Sequence, residues 1–171
     1  MGGSGGREVL DRERESNDQA HVVCMLCLLL HQHGMYFSIE NPFDSFLWVS
    51  DPVLHLLKQV GEAACVVHFC QCAYGLKLPG SAENQYCKKR TTVLSTLRQL
   101  NHLERGCPGV SAGHAHDVAW GSVSIGGRTY SKAAAAGRYP DELCELWSEL
   151  AADAIRQRFW NGTAPWQRRR A

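Results

Sequence analysis

The sequence has almost no excess charge and no long hydrophobic run. Its formal net charge is +1 over 171 residues, so no overall electrostatic attraction draws it to nucleic acid or to an anionic membrane. The most apolar run, 22–30, is shorter than the roughly 20 residues that a membrane-spanning helix needs. Met1 leads into Gly-Gly-Ser-Gly-Gly and not into an apolar signal segment. We therefore expect a cytoplasmic or nuclear protein without membrane contacts, in which any nucleic-acid binding is local.

The sequence also lacks the loop-rich framework of a disulfide-stabilised protein. Its eight cysteines lie in ordinary apolar contexts, such as Val22-Val23-Cys24 and Cys65-Val66-Val67, which indicates reduced thiols. Cys24 and Cys27 have the spacing of a redox pair, but they lie inside an apolar helical run where a thiolate is penalised, so we expect core packing. A composition of 44% apolar and 20% charged residues predicts one globular domain.

Local patterns divide the chain into three parts. Residues 1–16 combine glycines with mixed charges and predict a disordered leader. Residues 17–160 alternate helical and strand patterns and predict an α/β domain, and 161–171 predict a flexible basic tail. The predicted elements are a helix from Asn17 or Asp18 to Gly34, a strand at 36–39, a helix at 53–60, strands at 65–72 and 88–96, and a final helix from Pro140.

Three short motifs follow one another at the ends of the predicted strands. Glu40-Asn41-Pro42 ends the first strand, Tyr74-Gly75 follows the second, and Lys89-Arg90-Thr91 opens the third. Asn-Pro stops a strand. The preceding Glu thus lies at a carboxyl strand end, where open α/β sheets place their chemistry.

This order of motifs resembles the carboxyl half of the catalytic domain of cytosine-5 DNA methyltransferases, in the form found in phages and mobile elements. The resemblance covers residues 20–100 by family pattern and extends to 150 by a looser likeness. It implies the later strands of a Rossmann-like sheet followed by a carboxyl-terminal helical appendage. It also implies S-adenosylmethionine as the methyl donor and DNA as a partner.

The resemblance assigns catalytic roles to three residues. Glu40 would contact the ring nitrogen of a flipped cytosine, Asn41 would hold the local turn, and Arg90, or its neighbour Lys89, would supply basic support. The first role is chemically reasonable, because a carboxyl group in a partly dry pocket has its protonated form favoured and can donate to a base nitrogen.

Two parts of the family pattern are missing. No glycine-rich loop follows a strand, so the S-adenosylmethionine site is not present in this chain. The nucleophilic Pro-Cys pair is also absent, since Cys107-Pro108 has the reverse order. Methyl transfer needs the donor and the nucleophile in one pocket. We therefore expect the chain to be inactive alone and to require an N-terminal half or a partner chain.

A second cluster of residues predicts a metal site. Cys107, His114 and His116 lie within ten residues, and the glycines between them let the loop fold back. Thiolate and imidazole are zinc ligands, and Cys70, Cys72 or Cys87 could supply a fourth. The alternative is that the histidines make ordinary hydrogen bonds in a loop.

The metal cluster supports a different functional class. In this interpretation the chain is a small non-catalytic domain, stabilised by zinc, that binds nucleic acid or another protein. Trp147, Trp160 and Trp166 could stack on bases while Arg168-Arg169-Arg170 hold phosphates. A loose tail without a ligand is the alternative for the last residues.

Overall fold

The computed structural model describes residues 4–160 of the chain, with side chains from 10 to 158. The predicted basic tail, 161–171, lies outside the described residues, and so does Trp166. The helices are α1 Ser4–Gln32, α2 Asp51–Val60, α3 Lys132–Ala135 and α4 Asp141–Trp160. The strands are β1 Ser38–Pro42, β2 Cys65–Cys70, β3 Gln85–Cys87, β4 Arg90–Ser95, β5 Ala115–Asp117, β6 Ser122–Ile125 and β7 Arg128–Ser131.

A three-stranded sheet with the order β1-β4-β2 forms the centre of the molecule. Residues 91–95 of the middle strand are all buried, because helices cover both faces of the sheet. On one face α4 packs against Phe69, Val93, Leu100 and Leu103. On the other face α1 and α2 pack in a second core, which contains Cys24, Cys27, Ile39, Val53, Leu56 and Leu94.

The α/β class is confirmed, but the Rossmann-like sheet is not. Both pairings in the central sheet are antiparallel. A Rossmann-like sheet is mostly parallel, with a helical crossover between successive strands. Here β2 returns to β4 through an extended loop and the short strand β3, which leaves the two long strands antiparallel. Cys24 and Cys27 lie in the core as predicted, at 5% and 6% exposure.

The first helix is longer than the sequence predicts. It begins at Ser4 and not at Asn17 or Asp18, so it runs through most of the predicted leader. Arg, Glu and Leu have high helix propensity, and neither Gly nor Pro interrupts the chain between Gly6 and Gly34. The side chains of 10–19 are all exposed. Within residues 4–160, no helix combines the length and the hydropathy that crossing a bilayer demands.

Two small sheets form an appendage beside the central sheet. β3 and β5 pair in parallel, and β6 and β7 form a hairpin. The hairpin turns at Gly126-Gly127, where positive φ values of 57° and 75° favour glycine. The appendage packs on a small apolar cluster of Leu76, Leu78, Cys87 and Ala136.

Candidate metal centre

Four side chains from three segments meet beside the carboxyl end of β2. The ligand atoms of Cys72, Cys107, His114 and His116 all lie within 4.8 Å of one another. Two thiols and two imidazoles form a set that could hold a metal ion. The three segments are separated in sequence, so the fold itself assembles the group.

Cys72 is positioned by the tight turn that ends β2. The chain leaves the strand at Cys70 and enters a single 3-10 turn, Gln71–Tyr74, which Gly75 closes with φ +83°. The Tyr74 hydroxyl donates to the Leu103 carbonyl at 2.7 Å and fixes this turn against the core. Cys72 is therefore held in a buried position, at 1% exposure.

Cys107 reaches the same place because its segment runs alongside the end of β2. The backbone N–H of Cys70 donates to the Arg105 carbonyl at 2.9 Å, in an isolated bridge between Phe69 and Arg105. Two residues later the Cys107 thiol lies 3.2 Å from His116 Nε2.

The two histidines flank one residue of β5. Alternate residues of a strand point to the same side, so His114 and His116 face the thiols together. His114 stacks on Tyr86 of β3, with ring centroids 4.2 Å apart and an interplanar angle of 4°. At the end of β5, Asp117 accepts from Lys132 at 3.0 Å and from Ser81 at 2.9 Å, which fixes the strand.

Burial shifts the pKa values of two members of the group, Cys72 and His116, toward their neutral forms. Burial raises the pKa of the Cys72 thiol to about 12, and the neighbouring thiols of Cys107 and Cys70 add to this shift. Burial also lowers the pKa of His116, helped by His114 and Lys88. This shift favours the form of His116 without a second proton, which is the form that binds a metal.

One polar atom of the group has no hydrogen bond. His114 is 7% exposed, and its Nε2 is buried without a partner among the described residues. Buried polar atoms are nearly always satisfied, so such an atom calls for an ion or a water. The donor set of two sulfurs and two nitrogens is one that suits zinc.

The structure thus brings together all three predicted ligands, Cys107, His114 and His116, and selects Cys72 as the fourth. Cys70 lies close enough to influence the pKa of Cys72 but is not one of the four. Cys87 is buried in the apolar cluster of the appendage. Cys72 was one of three open alternatives, because the sequence predicts a strand through residue 72 where the chain already turns.

The residues predicted to be catalytic do not share one face of the sheet. Glu40 is paired opposite Val93, so its side chain points to the α4 side, whereas the next residue, Asn41, points to the other side. Arg90 lies on the Asn41 side by the same alternation along β4. Lys89, the alternative to Arg90, lies on the α4 side, where its ammonium group is 5.2 Å from the Tyr139 ring centroid.

Glu40 lies in a partly buried polar environment. Its Oε1 is buried without a hydrogen-bond partner among the described residues. Its neighbour is Tyr139, whose pKa is raised by burial first and then by the hydrogen bond and the charge of Glu40. The buried Oε1 of this carboxylate could accept a hydrogen bond from a donor group of a ligand.

Arg90 belongs to a basic surface on the other side of the sheet. Its guanidinium lies 3.6 Å from the Phe43 ring centroid, and Phe43 in turn meets His68 edge to face at 5.1 Å. Phe43 and Arg90 border an open cavity of about 310 Å³. We call this the basic surface; its lining residues are Pro42, Phe43, Asp44, Lys88, Lys89 and Arg90. Lys89 lines it without its ammonium group, which lies on the α4 side.

Comparisons of the chain with protein-family models, with curated proteins and with solved structures found no match. The relation to cytosine-5 DNA methyltransferases therefore stays a prediction from Glu40-Asn41-Pro42 and the motifs that follow it.

Proposed function

We propose that the chain is a zinc-stabilised, non-catalytic domain that binds single-stranded nucleic acid. The observation that carries this proposal is the convergence of Cys72, Cys107, His114 and His116 on one point. Four protein ligands fill a tetrahedral zinc site and leave no position for a substrate, which is the pattern of structural zinc.

The metal centre adjoins the basic surface. Lys88 is close enough to His116 to lower its pKa, and it begins the run that continues into Lys89 and Arg90. Lys77 lies 5.0 Å from the centroid of Tyr86, the ring on which His114 stacks. A zinc ion would therefore fix the position of Lys88, whose neighbour His116 is a candidate ligand, and that of Tyr86 and Lys77 through the stacking of Tyr86 on His114.

The chemistry of the basic surface suits a single strand. Lysine and arginine side chains attract phosphates, and an aromatic ring offers a face on which a base can stack. Phe43 is half-buried under the Arg90 guanidinium, so both groups are held in place before a ligand arrives. Because the net charge is only +1, the protein as a whole does not attract phosphates, and such binding would be confined to this surface.

Reversing two charges on the basic surface tests the proposal. We expect the pair Lys88→Glu and Arg90→Glu to weaken binding of a labelled single-stranded oligonucleotide by at least about tenfold, because two phosphate contacts are lost and replaced by repulsion. The slope of log affinity against log salt concentration should fall by about 1.4, the single-strand value for two contacts. Fluorescence anisotropy of the zinc-loaded protein at several salt concentrations measures both quantities.

A charge-matched control is the pair Lys58→Glu and Arg128→Glu, which changes exposed residues of α2 and β7. It should leave the affinity within about twofold after the change of net charge is allowed for. Equal losses in the two pairs, or no binding by the unchanged protein at low salt, would contradict a specific surface.

A second candidate function, favoured by one observation, is the partial cytosine-5 methyltransferase. β1 and β4 are hydrogen-bonded neighbours, and the Phe43 N–H donates to the Arg90 carbonyl at 3.1 Å, so two of the family motifs adjoin in space. The unpartnered Oε1 of Glu40 would suit the amino or ring-nitrogen edge of a base. In this proposal an N-terminal half completes a Rossmann-like sheet and supplies S-adenosylmethionine and the nucleophile.

If the methyltransferase candidate is correct, the protein should prefer an unpaired cytosine, and this preference should depend on Glu40. The chain should bind an oligonucleotide with an unpaired cytosine at least about tenfold more tightly than one with an unpaired thymine, as one specific hydrogen-bonded pair allows. Glu40→Gln should remove this preference. Competition anisotropy measures it, and Glu83→Gln on an exposed loop is the control. Equal binding of the two oligonucleotides by the unchanged protein would eliminate this candidate.

A further inference from the structure

The outer face of α1 is an exposed stripe that lies opposite the core. At 100° per residue, positions 11, 15, 18, 22, 25, 26 and 29 fall on one side of the helix, and the buried Cys24 and Cys27 fall on the other. Two shallow concavities follow one another along this side and share Val22. We call this side of α1 the outer stripe.

The outer stripe changes character halfway along the helix. Its carboxyl-terminal part is apolar, and Val22, Met25, Leu26 and Leu29 are each at least 50% exposed. Its amino-terminal part is acidic, with Asp11, Glu15 and Asp18 in line and Arg14 at its border. A ligand for the whole stripe must therefore be apolar at one end and basic at the other.

The amino-terminal half of α1 also needs a stabilising contact. The side chains of 10–19 are all exposed, so no element among residues 4–160 packs over them. Isolated helices of this length are marginal in water, and tertiary packing supplies most helix stability. A segment lying along the outer stripe would supply that packing.

We propose that residues 161–171 of the same chain bind along the outer stripe. This segment has the required order of chemistry, since Pro165 and Trp166 precede Arg168-Arg169-Arg170. The indole would cover the exposed aliphatic side chains around Met25, and the guanidinium groups would pair with the carboxylates of Asp18 and Glu15. A second copy of α1 fits less well, because a parallel pair sets acids against acids and an antiparallel pair sets acids against the apolar part.

The segment starts in the right place. The Arg158 guanidinium lies 4.7 Å from the Tyr36 ring centroid, so the end of α4 adjoins the residues that directly follow α1. Arg168 to Arg170 are eight to ten residues beyond Trp160 and can reach roughly 26–36 Å when extended. Asp18 and Glu15 lie roughly 21 and 26 Å along the helix axis from Gln32. These spans leave roughly 5–10 Å for the gap between Trp160 and Gln32, whereas Asp11, at roughly 32 Å, is at the limit.

Hydrogen exchange of α1 tests the proposal in the full chain. Ending the chain after Trp160 should speed exchange of the amides of 11–26 on the order of tenfold, because their stabilising cover is removed. The amides of β2 and β4 should not change. Reversal of the three arginines to glutamate should have the same effect, and combining it with Glu15→Arg and Asp18→Arg should restore slow exchange.

The matched control is Glu13→Arg, a reversal on the same helix that points away from the stripe. It should neither weaken protection alone nor rescue the arginine reversals. Unchanged exchange after truncation would overturn the proposal. Protection that rises with protein concentration over a roughly hundredfold range, together with a doubled mass in light scattering, would overturn it in favour of a second copy as the partner.

Discussion

Cys72→Ser is expected to release the bound metal and to destabilise the appendage that carries β3 and β5. The purified, unchanged protein should contain about one equivalent of zinc, which the four-ligand set predicts. In Cys72→Ser one thiolate is replaced by a poor zinc ligand at 1% exposure, where neither water nor another cysteine of the four can substitute. His114→Ala should lose the metal equally, because its buried Nε2 has no hydrogen-bond partner within the described part of the chain and is free to bind the ion.

The loss of stability in Cys72→Ser depends on which part of the fold the metal stabilises. Binding free energy at a structural zinc site is folding free energy. The central sheet has its own cores, so the loss should be partial and concentrated at 72–117. We expect at least about 3 kcal/mol, which lowers the midpoint of thermal unfolding by roughly 6–12 °C for a chain of this size. Elemental analysis gives the zinc content, and circular dichroism gives the midpoint.

The control for this experiment is another cysteine. Cys144 is exposed on α4 and is not one of the four ligands, so Cys144→Ser should keep both the metal and the midpoint. Chelator treatment of the unchanged protein should reproduce the Cys72→Ser midpoint. Absence of zinc from protein expressed with added zinc, or an equal effect of both substitutions, would show that these residues are not metal ligands.

The candidate metal centre was largely predictable because its signals are local. His114 and His116 lie on either side of Ala115, the first residue of a short strand, and Cys107 lies close before them in a glycine-containing loop. The sequence did not distinguish Cys72 from Cys70 and Cys87 as the fourth ligand. It joins the group only because β2 stops at Cys70 and because the bridge between Phe69 and Arg105 sets two distant segments side by side. Such register between distant segments is a tertiary property that sequence periodicity does not encode.

In the fold too, features set by neighbouring residues were predicted, whereas features set by contacts between distant segments were not. Strand and helix patterns correctly predicted α2, β2, β4 and α4 to within a few residues, whereas β1 covers Ser38–Pro42 and not 36–39, so Glu40-Asn41-Pro42 lies inside the strand and not after it. The direction of strand pairing was not predictable from them, and the antiparallel sheet follows from how β1 and β2 meet β4. Alternation along β1 and β4 then separates Glu40 from Arg90, two residues that the motif order had grouped. The long start of α1 was missed because a mixed charge pattern is typical of both disordered segments and exposed helices.

Tyr74→Ala is expected to cause the largest loss of stability among substitutions outside the metal ligands. Tyr74 is 2% exposed, packs edge to face on Phe69 at 5.8 Å and donates to the Leu103 carbonyl at 2.7 Å. Removing a buried aromatic ring leaves a cavity and should cost about 3–5 kcal/mol. Tyr74→Phe keeps the ring and loses one hydrogen bond to a buried carbonyl, so it should cost about 1–2 kcal/mol. Urea unfolding of the zinc-loaded proteins measures both values.

This substitution also separates two explanations for the Tyr74-Gly75 motif. If the tyrosine serves the turn that carries Cys72, Tyr74→Ala should lower zinc affinity as well as stability, while Tyr74→Phe should keep the affinity. Tyr130→Ala, at a site 39% exposed on β7, controls for the loss of a tyrosine and should change stability by less than about 0.5 kcal/mol. A Tyr74→Ala protein with unchanged stability and zinc affinity would contradict a structural role and would direct attention back to the resemblance from which the motif was first recognised.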